Sequence, residues 1–353
     1  VVEKHAHAPA ASVATHFATG DWSDPQVLLA LAAQADVVTL ENEFVPAEAL
    51  KVLEDAGVAL FPSAATVAVV QDKFLQKSRL ADAGLPVADF VATADPDAVA
   101  AAGARLGWPL VLKARRDGYD GKGNATVRGP EDIAGAWRTL GGDQGRALYV
   151  EAWCPFEREL AIIVTRGRDG RSVVYPVVET VQRNHICHIV RAPGPVDDAV
   201  AARVRTVAQQ ALDAVGAVGT FGVECFQTAS GEVLINELAP RVHNSGHYTI
   251  EACACSQFEN HVRAVMGWPL GAVAMRAPAA VMVNLLGDAP GSGWPSGMAD
   301  ALQVEGVAVH VYGKAQSATG RKMGHVTALG RTVADAEAAA LQAAGRLTFG
   351  VKA

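Results

Sequence analysis

The sequence predicts an α/β protein with more than one domain, and three observations support that prediction. The chain has 353 residues, of which 50% are hydrophobic and 19% charged, so it can form the cores of two or three domains. Helix-like and strand-like runs alternate over residues 25–61, a pattern typical of a parallel sheet covered by helices. Two apolar runs, 220–227 and 232–238, flank Ser230-Gly231 and predict an antiparallel hairpin.

The first predicted elements form a βα pattern. Residues 25–35 are predicted as a helix with Pro25 in its first turn, and 36–40 as a buried strand. A second predicted helix, 46–57, opens with Pro and closes with Gly, and 58–61 is a short strand. Because a doubly wound domain usually opens with a strand and a Gly-rich turn, we expect this N-terminal domain to be incomplete.

More helices and strands follow, and a shift toward Ala, Gly and Pro after about residue 270 predicts a small C-terminal domain. The predicted helices cover residues 71–84, 197–215 and 333–346. The predicted strands cover residues 108–113, 147–151, 160–165, 172–176, 220–227 and 232–238.

Charge and composition narrow the function classes. A formal net charge of -7 is unlike the basic footprint of a nucleic-acid-binding protein. Gly, Pro or charged residues interrupt the apolar runs well short of a bilayer span, so we expect no membrane helix. The sequence starts at Val1 without a signal-peptide pattern and without Met, which is compatible with residues missing from the front. The five cysteines lack a CxxC pair, and we expect a reducing, cytoplasmic location.

The hairpin carries a pair of carboxylates. With a two-residue turn at Ser230-Gly231, Glu224 falls directly opposite Glu237, with about 4.5–5.5 Å between their Cβ atoms. Facing carboxylates repel unless a cation lies between them or one is protonated, so one hypothesis is a Mg²⁺–nucleotide site. The alternative is a solvated pair on an exposed face, and a shifted turn would destroy the pairing. Asn236 points to the opposite face unless the strand bulges there.

Two other segments are candidates for phosphate binding. Lys113 ends an apolar strand, and Gly118, Gly121 and Gly123 allow close approach of the backbone to an anion. The loop matches neither a Walker A nor a GxGxxG pattern, so a mobile hairpin tip is an equal alternative. Lys73 near a helix start is, by itself, most simply a solvated charge. His243 and His247 have the i,i+4 spacing of metal ligands, but no acidic third ligand fits, so we do not predict zinc.

Together, these segments resemble the ATP-grasp superfamily and, more narrowly, the N5-carboxyaminoimidazole ribonucleotide synthetase family. The resemblance extends from about residue 36 to 330. Its motifs are TLENE at 39–43, GYDGKG at 118–123, VETVQRNH at 178–185, NELAPRVHNSGH at 236–247, HVYGK at 310–314 and RKMGHV at 321–326. The resemblance implies an ATP-grasp fold (67–272) between a truncated Rossmann-like N-terminal domain (1–66), lacking its first strand and Gly-rich loop, and a small C-terminal domain (273–353).

The resemblance also implies an ATP site between two antiparallel sheets. Glu224 and Glu237 would hold Mg²⁺, residues 151–154 would meet adenine through their backbone, and Glu159 would bind ribose. The implied ATP-binding residues are Lys73, Lys113, Gly118, Tyr119, Asp120, Gly121, Gly123, Glu151, Ala152, Trp153, Cys154, Glu159, Asn236 and Glu237.

The resemblance further implies ATP-dependent carboxylation of 5-aminoimidazole ribonucleotide by bicarbonate, through carboxyphosphate. The implied catalytic residues are Asp120, Lys122 and Arg241. The implied substrate-binding residues are Glu43, Tyr119, Arg241, His243, Asn244, Ser245, Lys314, Arg321 and Lys322. A homodimer and coupling to a mutase that takes the product are expected on the same basis. The alternatives are another ATP-grasp ligase acting on a purine intermediate, or a non-catalytic nucleotide-binding module.

Overall fold

The computed structural model describes residues 1–118 and 121–350. Its N-terminal unit has two short parallel strands and three helices around one apolar core. Residues 38 and 60 form only an isolated parallel bridge, so the two strands predicted at 36–40 and 58–61 are shorter than expected. The elements are β1 (Val2–Glu3), β2 (Ala18–Thr19), α1 (Pro25–Ala32), α2 (Ala47–Asp55) and α3 (Ala64–Gln71).

The predicted helix at 71–84 begins later than the pattern indicated. Asp72 has an extended backbone, with φ -96° and ψ 102°, so it ends α3 and caps the next helix. Its side chain accepts hydrogen bonds from the N–H groups of Phe74 and Leu75, which are otherwise unsatisfied at a helix start. The consequence is that Lys73 becomes the first residue of α4 (Lys73–Asp82).

After α4, a small antiparallel sheet packs against two helices. The sheet has four strands within the described residues, in the order β3-β6-β4-β5. Its elements are β3 (Phe90–Thr93), α5 (Pro96–Leu106), β4 (Leu110–Ala114), β5 (Asn124–Val127), α6 (Ile133–Thr139) and β6 (Leu148–Ala152).

A second, larger sheet runs through the rest of the molecule. The elements in chain order are β7 (Phe156–Arg166), β8 (Ser172–Val174), β9 (Val178–Arg183), β10 (Ile186–Ala192), α7 (Asp198–Ala214), β11 (Gly219–Thr228), β12 (Val233–Ala239), α8 (Thr249–Ala252), α9 (Gln257–Met266), β13 (Ala279–Leu286), β14 (Gly291–Ser292), α10 (Met298–Ala301), β15 (Val307–Val311), β16 (Gln316–Ser317), β17 (Lys322–Gly330) and α11 (Val333–Ala344). Within this part of the chain, β14 and β16 pair only with each other and form a separate two-stranded sheet. The predicted strands and helices of this region are confirmed to within a few residues at most ends.

The C-terminal strands continue this sheet. Among the described residues its order is β12-β11-β7-β9-β10-β13-β17-β15, with β8 paired to β7. Helix α7 packs on the β7–β11–β12 end, and α11 covers β13 and β17, so two cores form along one sheet. Residues 236–239 form the end of β12, and the segment that follows is joined to β13 by the Asn244–Asn284 side-chain pair.

The hairpin differs from the predicted turn but keeps the predicted carboxylate pair. Thr228 rather than Ala229 bonds to Glu232, so three residues form the turn. Cys225 then pairs with Ile235, one residue away from its predicted partner. A bulge at Asn236 shifts the strand back by one residue, and beyond it the pairs are those predicted. Glu224 pairs with Glu237, as predicted.

Two further observations bear on the composition. Cys154, Cys187, Cys225, Cys253 and Cys255 are all free thiols. In the described part of the chain, none of the helices combines the length and apolar character required to cross a membrane.

Candidate active site

One large cavity lies between the N-terminal unit, the small sheet and the large sheet. Its volume is about 1810 Å³, larger than the roughly 300–1,000 Å³ of an ordinary small-molecule pocket. Residues from all three regions line it, from Glu43 through Lys73 and Lys113 to Glu237 and Lys322. The cavity therefore has room for more than one small molecule.

The start of α4 places a lysine in this cavity. Arg115 Nη2 donates to Asp72 Oδ2 at 2.7 Å, and Arg115 Nε donates to Oδ1 at 2.9 Å, which fixes the helix cap against β4. The Lys73 N–H donates to the Arg115 carbonyl at 2.8 Å. With its backbone held on both sides, Lys73 directs Nζ onto Glu237 Oε2.

A second cation cluster is buried in the cavity wall. Lys113 Nζ donates to Glu151 Oε2 at 2.9 Å, and Lys77 Nζ lies 3.3 Å from Glu151 Oε1. Tyr149 Oη donates to the same Oε1 at 2.6 Å. Burial alone would raise the pKa of Glu151, but Lys113, Lys77 and Tyr149 outweigh it and lower the pKa to about 2. The Glu151 side chain is therefore ionised, and each of its two carboxylate oxygens contacts one of the lysines.

Neither Lys77 nor Tyr149 was among the residues predicted from the sequence. Lys77 follows Lys73 by one helical turn, so the two side chains share a face of α4. That spacing is visible in the sequence, but burial of the lysine is not: its side chain is only 2% exposed.

The facing carboxylates form the centre of the site. Burial and the Glu237 carboxylate raise the pKa of Glu224. Burial also tends to raise the pKa of Glu237, but Lys73 outweighs it and lowers that pKa. The asymmetry arises because Lys73 neutralises only one member of the pair.

Asn236 joins this pair through the bulge. Its Nδ2 lies 3.5 Å from Glu224 Oε2, whereas its Oδ1 is buried without a hydrogen-bond partner. An orphaned buried oxygen costs about 1–3 kcal/mol. Two carboxylates and an unpartnered amide oxygen are the donor set that a hard divalent cation such as Mg²⁺ prefers, so the residues fit that ion.

His243 lies beside the carboxylates and is uncharged. Its Nε2 is 3.5 Å from Glu224 Oε1 and its Nδ1 is 2.8 Å from Ser245 Oγ. Burial, followed by Arg241 and Lys322, lowers the pKa of His243 to about 3. The contact with Glu224 at neutral pH is therefore a polar contact rather than an ion pair.

Gln257, which the sequence analysis missed, holds the backbone of His243. Gln257 Oε1 accepts from the His243 N–H at 2.9 Å, and Gln257 Nε2 donates to the His243 carbonyl at 2.7 Å. The same amide contacts His247 Nδ1 at 3.0 Å. One amide side chain thus joins the backbone of His243 to the ring of His247.

Arg241 and Glu43, predicted together from distant segments, form a bidentate ion pair. Arg241 Nη2 donates to Glu43 Oε1 at 2.9 Å, and Arg241 Nε donates to Glu43 Oε2. Gln71 Nε2 donates to the Glu43 carbonyl at 2.7 Å, which fixes the loop carrying the carboxylate. The N-terminal unit thereby supplies one wall of the cavity.

Asn244 makes a reciprocal pair with Asn284, a residue the sequence analysis did not identify. Asn244 Nδ2 donates to Asn284 Oδ1 at 2.8 Å, and Asn284 Nδ2 donates back to Asn244 Oδ1 at 2.7 Å. Asn284 lies on β13 and is 3% exposed, so the C-terminal strands orient this loop. Ser245 is also buried.

The predicted C-terminal cations reach the same cavity. Lys314, Arg321 and Lys322 all line it. Lys314 Nζ donates to the Lys322 carbonyl at 2.7 Å, and Arg321 Nη1 donates to the Gln316 carbonyl at 2.7 Å. The part of the cavity that these three side chains line is therefore cationic.

The glycine loop also lines the cavity. Gly121 and Gly123 have φ of 73° and 97°, and a Cβ added to Gly121 would be 2.4 Å from His185 Cβ. Glycine is thus required by both conformation and space. Tyr119 and Asp120 fall outside the described residues, whereas Gly118 and Lys122 line the cavity.

The remaining predicted nucleotide residues lie where β6 ends and β7 begins. Burial raises the pKa of Glu159, which faces Thr180 across the sheet. Residues Ala152, Trp153, Cys154 and Glu159 line the same cavity as Lys73 and Lys113.

Comparison with known proteins agrees with this architecture. Three family models match: "Ribonucleotide synthetase preATP-grasp domain" over residues 1–71, "ATP-grasp domain" over 78–258, and "Phosphoribosylaminoimidazole carboxylase C-terminal domain" over 280–339. The N5-carboxyaminoimidazole ribonucleotide synthase of Synechococcus elongatus is 39% identical over 91% of the chain and 80% of its own length.

Two other relatives extend the comparison. The Aspergillus clavatus N5-carboxyaminoimidazole synthase, solved in complex with ADP and 5-aminoimidazole ribonucleotide, superposes with a TM-score of 0.86 at 35% identity, covering 94% of this chain and 87% of that one. The phosphoribosylaminoimidazole carboxylase of Ogataea methanolica is 40% identical over 90% of the chain. This chain spans only 59% of that relative's length.

The two sheets, the Lys73–Glu237 contact and the Glu224–Glu237–Asn236 group between them define an ATP-grasp protein. Within that class, the chain belongs to the N5-carboxyaminoimidazole ribonucleotide synthase family.

Proposed function

We propose that the chain uses ATP to carboxylate 5-aminoimidazole ribonucleotide with bicarbonate, giving N5-carboxyaminoimidazole ribonucleotide. The observation that supports this most is the continuity of one cavity from Lys73, Glu224 and Glu237 to Arg241 and Lys322. The proposed nucleotide end and the cationic end therefore share one continuous space. The ADP and ribonucleotide complex of the Aspergillus clavatus relative supports the same pair of ligands.

The nucleotide would bind at the end formed by the small sheet. Lys73 and Lys113 would contact its phosphates, Glu159 its ribose hydroxyls, and the backbone of Trp153 and Cys154 its adenine. Lys113 is already compensated by Glu151, so phosphate binding would add a second anionic partner to a cation held in position.

Mg²⁺ would be held by Glu224, Glu237 and the unpartnered Asn236 Oδ1. When bound, the ion neutralises charge on the transferring phosphoryl group. Lys73 would balance the remaining charge on Glu237 and the phosphates.

The ribonucleotide would bind at the cationic end. Lys314, Arg321 and Lys322 would hold its phosphate through charge-assisted hydrogen bonds, and His243 and Asn244 would contact the rest of the molecule. Since His243 is neutral, it can both donate and accept a hydrogen bond there.

The chemistry would proceed in two steps. Bicarbonate oxygen takes the γ-phosphoryl group of ATP, which gives ADP and carboxyphosphate. The exocyclic amine then attacks the carboxyl carbon of carboxyphosphate or of CO₂ released from it, inorganic phosphate leaves, and the amine loses a proton. We assign Lys122 and Arg241 to charge stabilisation and Asp120 to proton acceptance. Exclusion of water would protect the labile intermediate.

The test is ADP release by the purified chain with Mg²⁺–ATP, adding the ribonucleotide and bicarbonate separately and together. We expect turnover to rise sharply with the ribonucleotide and to form carboxylated product only with bicarbonate. Turnover stimulated by a different purine intermediate would assign another ATP-grasp ligase. ATP binding without turnover under any condition would assign a nucleotide-binding module.

Four accessory proposals accompany this function. The domain boundaries 1–66, 67–272 and 273–353 are supported by the three family matches, and limited proteolysis would test them.

The resemblance supports a homodimer, which light scattering would test. It also supports transfer of the product to a mutase, which a coupled assay would test. The free thiols support a cytoplasmic location, testable by fractionation.

A further inference from the structure

A separate group of metal-ligating side chains lies outside the large cavity. His310 on β15 and His325 on β17 are direct partners in the antiparallel register, so their side chains share one face of the sheet. Their rings stack with centroids 4.4 Å apart and an interplanar angle of 16°. Glu251 on α8 approaches this pair, with Oε1 2.7 Å from His310 Nε2. None of the three lines the cavity described above.

Two polar atoms of this group are buried and unpartnered. His325 Nε2 and Glu251 Oε2 have no hydrogen-bond partner, and His325 is 2% exposed. Each unsatisfied buried polar atom costs about 1–3 kcal/mol. One donor atom from each of the three residues lies within 4.8 Å of the others. A common ligand would satisfy both atoms, provided that the stacked rings turn so that one nitrogen of each faces it.

The surroundings prepare His325 as a ligand. Tyr312 Oη lies 3.0 Å from His325 Nδ1, which orients the ring and leaves Nε2 for another partner. Metal-ligating histidines usually use their second nitrogen in this way.

We propose that Glu251, His310 and His325 form a binding site for a divalent transition metal of the zinc class. Two imidazole nitrogens and one carboxylate favour zinc or cobalt over Mg²⁺ and Ca²⁺, which prefer oxygen ligands. One carboxylate against a divalent ion leaves a net charge of +1, and the ion replaces the proton between Glu251 and His310. The His310 side chain is 33% exposed, so an ion can enter and a water can complete the coordination.

The proposed site joins two parts of the molecule, helix α8 and the C-terminal strands β15 and β17. Glu251 follows the loop that carries His243 and Asn244, whereas His310 and His325 belong to the C-terminal strands. A bound ion would therefore fasten that loop to those strands. The site does not depend on the proposed reaction, because none of its three residues is assigned to ATP or ribonucleotide binding.

The test is a titration of chelator-treated, tag-free protein with Co²⁺ in excess Mg²⁺, followed by visible absorption and competition with Zn²⁺. We expect one equivalent to bind with the intense absorption of a tetrahedral, nitrogen-containing site. H310Q, H325Q and E251Q should each weaken binding at least about ten-fold, the lower end of the effect of outer-shell partners. H16Q, at an exposed histidine, and E224Q, at the magnesium-fitting group, should leave the cobalt spectrum unchanged.

H310Q is the decisive variant, because His310 is the most exposed of the three ligands and its replacement disturbs folding least. Thermal unfolding would establish that each variant is folded before titration. The proposal is overturned if wild-type protein binds no stoichiometric Co²⁺ or Zn²⁺. It is also overturned if folded H310Q binds as tightly as wild type with the same spectrum.

Discussion

Lys77 and Glu151 form a buried ion pair in the cavity wall, with 3.3 Å between Nζ and Oε1. The two side chains are 2% and 4% exposed. Glu151 also binds Lys113 and Tyr149, whereas Lys77 Nζ has no hydrogen-bond partner that satisfies it. Burial accordingly lowers the pKa of Lys77 even beside a carboxylate. The carboxylate is therefore the member of the pair on which stability depends.

This asymmetry predicts unequal effects of two substitutions. Glu151→Gln leaves two buried lysines without their anion and should lower the free energy of unfolding by about 3–5 kcal/mol. Lys77→Met keeps the volume and removes a poorly satisfied charge, while Lys113 still compensates Glu151, so the change should stay below about 1 kcal/mol. Urea denaturation of both variants measures the difference, and equal losses would contradict this account.

Glu224 is expected to lower stability in the absence of a cation. A carboxyl whose pKa is raised on folding favours the folded state below the unfolded-state value of 4.5 and loses that contribution as pH rises. Without Mg²⁺, Glu224→Gln should therefore exceed wild type in free energy of unfolding by about 1–2 kcal/mol at pH 8, one pKa unit being about 1.4 kcal/mol. The advantage should vanish near pH 4.

The matched control for that experiment is Glu305→Gln, at an exposed glutamate, which should show no such pH-dependent gain. Adding Mg²⁺ should stabilise wild type more than Glu224→Gln, because binding to the folded state alone adds to stability. A gain that persists unchanged at pH 4 would argue against repulsion between Glu224 and Glu237 as the cause.

Asn236 is expected to contribute an oxygen to magnesium binding. Asn236→Ala removes the unpartnered Oδ1 and should raise the Mg²⁺ concentration for half-maximal ATP turnover about ten-fold. Asn236→Asp keeps an oxygen at the same place, so the Mg²⁺ concentration for half-maximal ATP turnover should stay the same or fall. Magnesium titrations at saturating ATP distinguish the two, and identical curves for both variants would exclude a ligand role.

Gly222 controls the position of His243. A Cβ at Gly222 would lie 2.5 Å from His243 Cγ, so Gly222→Ala must displace the ring at a cost of about 1–3 kcal/mol. Because we assign His243 to the proposed ribonucleotide site, we expect KM for the ribonucleotide to rise more than KM for ATP. Steady-state kinetics with each substrate varied would measure this.

Gly135→Ala provides the control for that substitution. Gly135 lies in α6 with nothing within 4 Å of an added Cβ, so alanine there should be neutral or slightly stabilising. If Gly222→Ala raised both KM values equally, the displaced His243 would not be specific to the ribonucleotide end.

The carboxylate pair could be predicted from the sequence even though the turn was predicted wrongly. The pairing depends on the offset between the strands, and the extra turn residue at 229 is cancelled by the bulge at Asn236. The same bulge brings Asn236 to the carboxylates, which an ideal strand forbids. Bulges leave little trace in a sequence, because the bulged residue is specified by its neighbours in the sheet and by the site.

The sequence by itself determined the order of most helices and strands, the opposition of Glu224 and Glu237, and the residues that mark the family. These follow from local periodicity and from motifs that are contiguous in the chain. The tertiary structure alone decided that Lys77 is buried against Glu151, that Asn284 orients Asn244, and that His310, His325 and Glu251 converge. Each of those contacts joins segments far apart in the chain, and burial, which sets their charges and energies, is a property of the packed molecule.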